Sequence, residues 1–202
     1  ARRGDDARFV MITGWNEWVA QKNPYDGEYA FVDNVDMEYS RDANAAGGSL
    51  RYTHAAARNS LTEIRVTADE QNIYFYIKSE SDIVRADEPN WMNIFIGTGT
   101  PEMKGWESYE YVINRERTNG TAKIEKLNAD YTGTAVDATA TYTVQGNVMQ
   151  VSIPRAALGL TDGGDFYFKV ADGVTDTDEI MDYYSTGRSM PLGRLSYLYQ
   201  LR

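Results

Sequence analysis

A two-residue alternation of apolar and other side chains recurs along most of this chain and limits the folds that it can adopt. Ile73, Phe75 and Ile77 alternate with Tyr74 and Tyr76. The same period recurs in two further segments, Trp91–Ile96 and Met149–Ile153. Because successive residues of a β-strand point to opposite faces of a sheet, this period predicts half-buried strands.

Turn-forming residues separate these predicted strands at roughly even intervals. The turns are rich in Gly, Asn and Asp and fall at Asp69–Asn72, Gly97–Gly99, Thr118–Gly120, Gln145–Asn147 and Thr161–Gly164. Only Pro154–Leu160 has a helical pattern, with Pro first and Gly159 near the end. The spacing predicts an all-β fold, an antiparallel β-sandwich of jelly-roll type over residues 45–202.

Residues 1–44 differ from the rest and predict an N-terminal appendage. Arg8–Gly14 is a short apolar run that ends at Gly, as in a fully buried parallel strand. Phe31–Tyr39 follows with partial alternation, and Asp42–Ser49 consists mostly of small residues and polar residues with two glycines. This last stretch predicts a linker between two domains, residues 1–44 and residues 45–202.

Composition excludes several classes of function. Of the 202 residues, 42% are hydrophobic and 25% are charged, as in a soluble globular protein. The chain has no cysteine, so it has no disulfide, thiolate nucleophile or zinc ribbon. Its single histidine, His54, precludes a histidine-rich metal centre, and a net charge of −10 argues against nucleic acid as a partner. No apolar run is long enough to span a membrane.

One carboxylate has the setting of a catalytic group. Glu17 lies between Trp15 and Trp18, just after the predicted strand Arg8–Gly14. Active sites of α/β barrels lie at the carboxyl ends of the strands. A surface glutamate beside packed indoles fits the same residues, and glycoside hydrolysis needs a second carboxylate that the sequence does not single out.

Two tryptophans beside predicted turns are candidate platforms for a sugar. Trp91 follows Asp87–Asn90 and Trp106 follows Glu102–Gly105. Aromatic rings pack against the apolar faces of sugars, and polar neighbours bind the hydroxyl groups. The candidate companions are Asn93, Tyr109, Tyr111, Asn114 and Arg58. Alternatively, each tryptophan fills the core, and Arg58 is part of a turn.

An acidic run near the C-terminal end is the candidate metal site. Asp172, Asp176 and Asp178 supply oxygen ligands of the kind that Ca²⁺ prefers. The spacing does not match an EF-hand, and a solvated acidic loop is the alternative.

The segment Leu61–Tyr199 resembles the β-sandwich carbohydrate-binding modules related to family 9, which accompany secreted bacterial polysaccharide-degrading enzymes. The segments that carry the resemblance are Asn72–Tyr76, Asn90–Ile96, Gly105–Tyr111, Val151–Arg155 and Asp165–Asp172. The resemblance implies that a sugar is held by tryptophans, with Trp91 and Trp106 as candidates, and that structural calcium is present.

The N-terminal appendage resembles the last strand and exit segment of a glycoside-hydrolase-like (β/α)8 barrel. Ile12–Trp18 and Phe31–Asp42 carry this second resemblance. Because such a barrel takes about 250 residues, these 44 residues cannot form one, and the chain is not expected to be an enzyme by itself.

The sequence therefore predicts non-catalytic binding of a polysaccharide or oligosaccharide. The module would be secreted or on the bacterial cell surface, tethered to a catalytic domain, with neither nucleic acid nor membrane as a partner. Two alternatives remain open: a fragment of a glycoside hydrolase whose active site includes Glu17, and a purely structural spacer.

Overall fold

The computed structural model describes residues 22–25, 28–31, 58–99, 105–161 and 163–201. Two compact units divide the chain, one over Ala1–Tyr52 and the other over Thr53–Arg202. The domain boundary predicted between residues 44 and 45, the linker Asp42–Ser49 and the strand Arg8–Gly14 lie outside the described residues.

The described part of the first unit is a short antiparallel hairpin. Strand β1 (Lys22–Tyr25) pairs with β2 (Glu28–Phe31), with Lys22 opposite Phe31.

Ten strands make up one antiparallel sheet in the second unit. They are β3 (Leu61–Ala68), β4 (Asn72–Ser79), β5 (Asn93–Gly97), β6 (Tyr111–Thr118), β7 (Thr121–Leu127), β8 (Gly133–Gln145), β9 (Val148–Pro154), β10 (Phe166–Asp172), β11 (Arg188–Met190) and β12 (Tyr197–Tyr199).

The sheet follows the order β11-β10-β5-β6-β7-β8-β9-β4-β3, and β12 also pairs with β10. Every pairing is antiparallel. The last strand in this order, β3, lies near the first, β11, so the sheet nearly closes on itself. The all-β prediction is confirmed, whereas the distinction between a sandwich and a closed sheet stays a prediction.

One face of the sheet encloses an interior cluster of apolar side chains. The alternation predicted for β4 and β9 is confirmed, because Ile73, Phe75, Ile77, Met149 and Ile153 are all buried. Val151 of β9 also belongs to this cluster, as do Trp91, which precedes β5, and residues of the other strands: Ile94, Ile96, Ile113, Ile124, Ala140, Tyr142, Phe166, Phe168 and Val170. The residues of β4 and β9 between them point to the opposite, outer face.

Strand β5 differs from its predicted half-buried pattern, since all five of its residues are buried. Ile94 and Ile96 join the interior cluster, while Phe95 joins a second cluster on the outer face. This outer cluster consists of Phe95, Trp106, Tyr109, Val112, Leu127, Ala171, Val174, Ile180 and Tyr183. Loops therefore cover the outer face at β5, β6 and β10.

Helices are short in the described residues. A 3-10 helix (Arg155–Leu158) starts after Pro154 and ends at Gly159, whose φ of 68° is left-handed, in agreement with the predicted helical turn. The other helix, α1 (Asp182–Ser185), belongs to the loops over the outer cluster. None of the helices in these described ranges is long and apolar enough to cross a membrane.

Candidate functional site

Trp91, the first predicted platform, lies in the interior cluster with 1% of its surface exposed. Its Nε1 donates a hydrogen bond to the Val84 carbonyl at 2.8 Å. The Arg117 guanidinium lies 4.7 Å from the ring centroid, and Tyr142 packs edge-on at 5.9 Å. Neither face of this indole is open to a ligand, so the core alternative describes Trp91.

Trp106, the second predicted platform, belongs to the outer cluster and is 4% exposed. Its ring centroid lies 5.5 Å from that of Phe95 and 5.4 Å from that of Tyr183. Its Nε1 donates a hydrogen bond to the Asp178 carbonyl. The predicted companion Tyr109 is 1% exposed in the same cluster. These aromatic side chains hold the covering loops onto the sheet.

The predicted polar companions are engaged in the fold as well. The Asn93 amide donates to the Pro89 carbonyl. The Asn114 amide donates to the Trp91 and Met92 carbonyls from a left-handed backbone position, with φ of 81°. Tyr111 is half-buried against the interior cluster. Together with the two tryptophans, these residues do not line a common surface.

Arg58 ties three segments together. Its Nε donates to Asp172 at 3.1 Å, one terminal nitrogen donates to Glu88 at 3.0 Å, and the other donates to the Asn90 side chain at 3.0 Å. The predicted ligand contact is therefore occupied by contacts within the chain.

The three aspartates of the predicted calcium site are not brought together. Asp172 is 1% exposed and accepts hydrogen bonds from the Met92 amide and the Asn59 side chain, beside its ion pair with Arg58. Burial raises the pKa of its carboxyl, and these partners only partly offset the effect. Asp176 and Asp178 are exposed, and their mutual hydrogen bond raises the pKa of Asp176. No group of three metal-ligating side chains forms among the described residues.

The N-terminal candidates cannot be placed. Glu17, Trp15, Trp18 and His54 lie outside the residues that the structure describes. The glycoside-hydrolase alternative therefore stays a prediction.

A groove that sequence reasoning did not single out crosses the outer face of β3, β4, β9 and β8. Its volume is about 670 Å³. We call it the channel, and its lining residues are Arg65, Val66, Thr67, Tyr74, Phe75, Tyr76, Thr141, Tyr142, Thr143, Gln150, Val151 and Ser152.

Strand register arranges these residues as a floor between two walls. Val66, Phe75, Val151 and Tyr142 are neighbours across the four strands, and their side chains pack inward. Their backbone therefore forms the floor. Four outward residues on each side of this line form the walls, Thr67, Tyr74, Ser152 and Thr141 on one side and Arg65, Tyr76, Gln150 and Thr143 on the other.

Each wall carries one half-buried tyrosine. Tyr74 and Tyr76 are two residues apart on β4, so strand geometry separates their Cβ atoms by about 7 Å across the channel. The Tyr74 hydroxyl donates to the Asp69 carboxylate at 2.7 Å. The Arg65 guanidinium lies 5.5 Å from the Tyr76 ring centroid and is paired with Glu63 at 2.6 Å.

The contact between Tyr74 and Asp69 sets the protonation of both groups. The hydrogen bond raises the pKa of Tyr74 and, with the backbone amides of Asn72 and Gln71, lowers the pKa of Asp69. Tyr74 is therefore a neutral hydroxyl and Asp69 a carboxylate over the whole range between their ordinary values of 10.0 and 3.8.

The walls of the channel offer groups for hydrogen bonding and for aromatic packing. These are hydroxyl groups, one amide, one guanidinium and two aromatic rings, and the described lining residues include no carboxylate. Paired carboxylates about 5–10 Å apart, as glycoside hydrolysis requires, are not among them.

A second cavity, of about 540 Å³, lies over β6 and β7. Three of its charged lining residues form ion pairs within the chain. Lys123 pairs with Glu116, and Arg115 pairs with Glu125 at 2.9 Å. The channel, whose lining is mostly uncharged, is therefore the better candidate for an organic ligand.

The sequence showed the alternation of Tyr74 and Tyr76 but not the groove that they line. The available signal was two aromatic residues at positions i and i+2 on the outward face of one strand. The threonines and Gln150 that complete the walls come from strands whose pairing partners local patterns do not reveal. Comparison with known proteins adds no identity to this geometry, since no family model, curated protein or solved structure matches the chain.

Proposed function

We propose that the ten-stranded unit is a non-catalytic carbohydrate-binding module and that the channel is its ligand site. The observation that carries the proposal is the pair of tyrosines on opposite walls of a groove lined by hydroxyl and amide groups. This is the function implied by the resemblance to family 9 modules, transferred from the buried tryptophans to Tyr74 and Tyr76.

The channel offers the two kinds of contact that a pyranose needs. Aromatic rings pack against its C–H faces, and Thr141, Thr143, Gln150 and Ser152 can exchange hydrogen bonds with its hydroxyl groups. The wall separation of about 7 Å matches two van der Waals contacts of about 3.5–4.0 Å each, one on either side of an inserted ring.

Arg65 partly covers Tyr76 in the free protein. Its side chain is 72% exposed, and its partner Glu63 is 36% exposed. Because exposed ion pairs contribute little to stability, the guanidinium can move aside or turn toward a ligand hydroxyl at small cost. A few stacked rings and hydrogen bonds yield affinities in the micromolar to millimolar range after ordering costs.

The proposed context is a secreted or cell-surface bacterial protein that degrades polysaccharides. Tethering a weak binding module to a catalytic domain raises the effective concentration of the enzyme on its substrate. The net charge of −10 fits a glycan better than a nucleic acid as the partner.

The test is calorimetric titration of the chain against soluble β-glucan, xylan, mannan and the acidic polysaccharide pectate. We expect saturable binding to at least one of them. Tyr76→Ala and Tyr74→Ala should each weaken it at least tenfold. Tyr167→Ala is the matched control, because Tyr167 is 41% exposed on β10 and does not line the channel.

Two results would overturn the proposal. One is a folded chain that binds none of the glycans. The other is binding that both channel variants retain in full.

The structural-spacer alternative is favoured by one observation, the burial of both predicted platforms, Trp91 and Trp106. A spacer has no ligand. The spacer alternative predicts no heat of binding with any glycan. It also predicts that channel variants do not change stability.

A further inference from the structure

The channel is built only from the middle of strands. Its described lining residues come in four groups of three, one group each from β3, β4, β8 and β9, and none comes from a loop. Four strands at a spacing of about 4.8 Å give the channel a length of about 14 Å across the sheet.

No described residue beyond β3 at one end or beyond β8 at the other lines the channel. At one end, Arg65 and Thr67 lie on β3, the last strand in the sheet order, and the neighbouring strand β11 contributes nothing to the lining. At the other end, Thr141 pairs with Thr121, which begins β7, so that strand stops level with the channel. A ligand can therefore extend beyond the channel in both directions.

The lining is also close to neutral. Arg65 is its only charged residue among those described, and Glu63 pairs with that guanidinium. The remaining wall groups are hydroxyls, an amide and phenol rings, which bind uncharged hydroxyl groups and carry no net charge to match a uronate or a sulfate.

We propose that the channel holds an interior stretch of an uncharged, extended glycan chain, which runs across the four strands and leaves at both ends. This inference rests on the proposed function and adds the ligand's charge and the part of the chain that is bound. A site for chain ends would need a wall that stops the chain, and the described residues supply none.

The first experiment is a length series. Cello-, xylo- and manno-oligosaccharides of increasing length are titrated calorimetrically, each with a native and with a chemically reduced reducing end. Affinity should rise at least tenfold from the monosaccharide until the channel is filled and then level off. Reduction of the end should change the affinity of the longest members less than twofold.

The second experiment narrows each end of the channel in turn. Thr67→Leu at the β3 end and Thr141→Leu at the β8 end should each weaken binding of the longest oligosaccharide at least threefold, because a through-running chain meets both. Thr134→Leu is the matched control, since Thr134 is an exposed residue of β8 that does not line the channel.

The outcomes separate this inference from the proposed function. Interior binding is overturned if the affinity depends on a free reducing end, or if only one of the two end variants weakens binding. If Tyr76→Ala still abolishes binding in that case, the proposed carbohydrate-binding function stands. If pectate binds more tightly than every neutral glycan, the proposed preference for an uncharged glycan is overturned. If no glycan binds, both proposals fail.

Discussion

The outer face of the sheet has two halves that are built from the same kind of alternating strands. Loops cover one half, and the other half is open. At β5, β6 and β10, loops bury Phe95, Val112 and Ala171 beneath Trp106 and Tyr183. At β3, β4, β8 and β9, the outward residues remain accessible and line the channel. Aromatic side chains occur in both halves, so exposure alone separates those that stabilise the fold from those available to a ligand.

The difference arises from the connections between strands. Turns in the open half are tight, as between β8 and β9, where Gly146 and Asn147 connect Gln145 to Val148. Connections in the covered half are long and carry apolar residues of their own, including Val174 and Ile180. The outer face of the sheet thus stays open where the connections are too short to cover it.

The largest effect should come from removing the centre of the covered half. Trp106→Ala deletes a ring that is 4% exposed and contacts four aromatic neighbours, so the free energy of unfolding should fall by about 3–5 kcal/mol. Tyr76→Ala, in the open half, should cost about 1 kcal/mol or less. Urea denaturation of both variants measures the difference, and equal losses would contradict the division into two halves.

An intermediate effect is expected from alkaline pH, again in the covered half. Burial raises the pKa of Tyr109 to about 12, above the ordinary 10.0. The stability gained from its neutral phenol is therefore fully present below pH 10 and lost as the pH rises through about 12, which amounts to about 2–3 kcal/mol.

Tyr109→Phe tests this dependence, because it removes the ionising group and keeps the ring. Denaturation of the variant should depend less on pH between 10 and 12 than that of the native chain. Identical pH dependence would show that Tyr109 is not held in its neutral form by burial.

The smallest effect should come from the open half. Tyr74→Phe removes the hydroxyl that donates to Asp69, so the lowered pKa of Asp69 should rise toward its ordinary value of 3.8. A carboxylate whose pKa is lowered by folding stabilises the protein at any pH above its ordinary pKa. This stability is lost as the pH falls through the lowered pKa of the folded state. The difference in denaturation midpoint between native chain and variant should therefore be small at neutral pH and disappear in acid.

NMR titration of the Asp69 carboxyl measures the shift directly. Tyr76→Phe is the matched control, because it removes a phenol hydroxyl that makes no hydrogen bond to Asp69 in the described structure. An unchanged Asp69 pKa in Tyr74→Phe would contradict the assigned contact.

Local patterns predicted the strands but not which outward aromatic residues are covered, for a physical reason. Alternation identified the inward residues of β4 and β9, and Pro154 with Gly159 identified the helical turn. Whether an outward aromatic residue is covered depends on loops that fold back from distant positions, as residues 174–183 do over Trp106. A turn beside a tryptophan, which predicted exposure for Trp91 and Trp106, carries no information about that cover.

The three aspartates of the candidate calcium site lie apart for a related reason. Asp172, Asp176 and Asp178 are close in sequence, but Asp172 ends β10 with its carboxylate turned into the fold toward Arg58, whereas the other two lie on an exposed loop. Strand alternation and a cation from a distant segment, not spacing, decide the direction of that carboxylate.

The four floor residues of the channel have two roles, since Val66, Phe75, Val151 and Tyr142 contribute side chains to the core and backbone to the floor of the channel. The eight wall residues do not pack in the core, and none of them is fully buried. Substitutions in the walls should therefore change the groups that the channel presents, whereas substitutions in the floor should change the packing of the core. If the channel binds glycans as proposed, exchange of wall residues would alter its specificity on an unchanged framework.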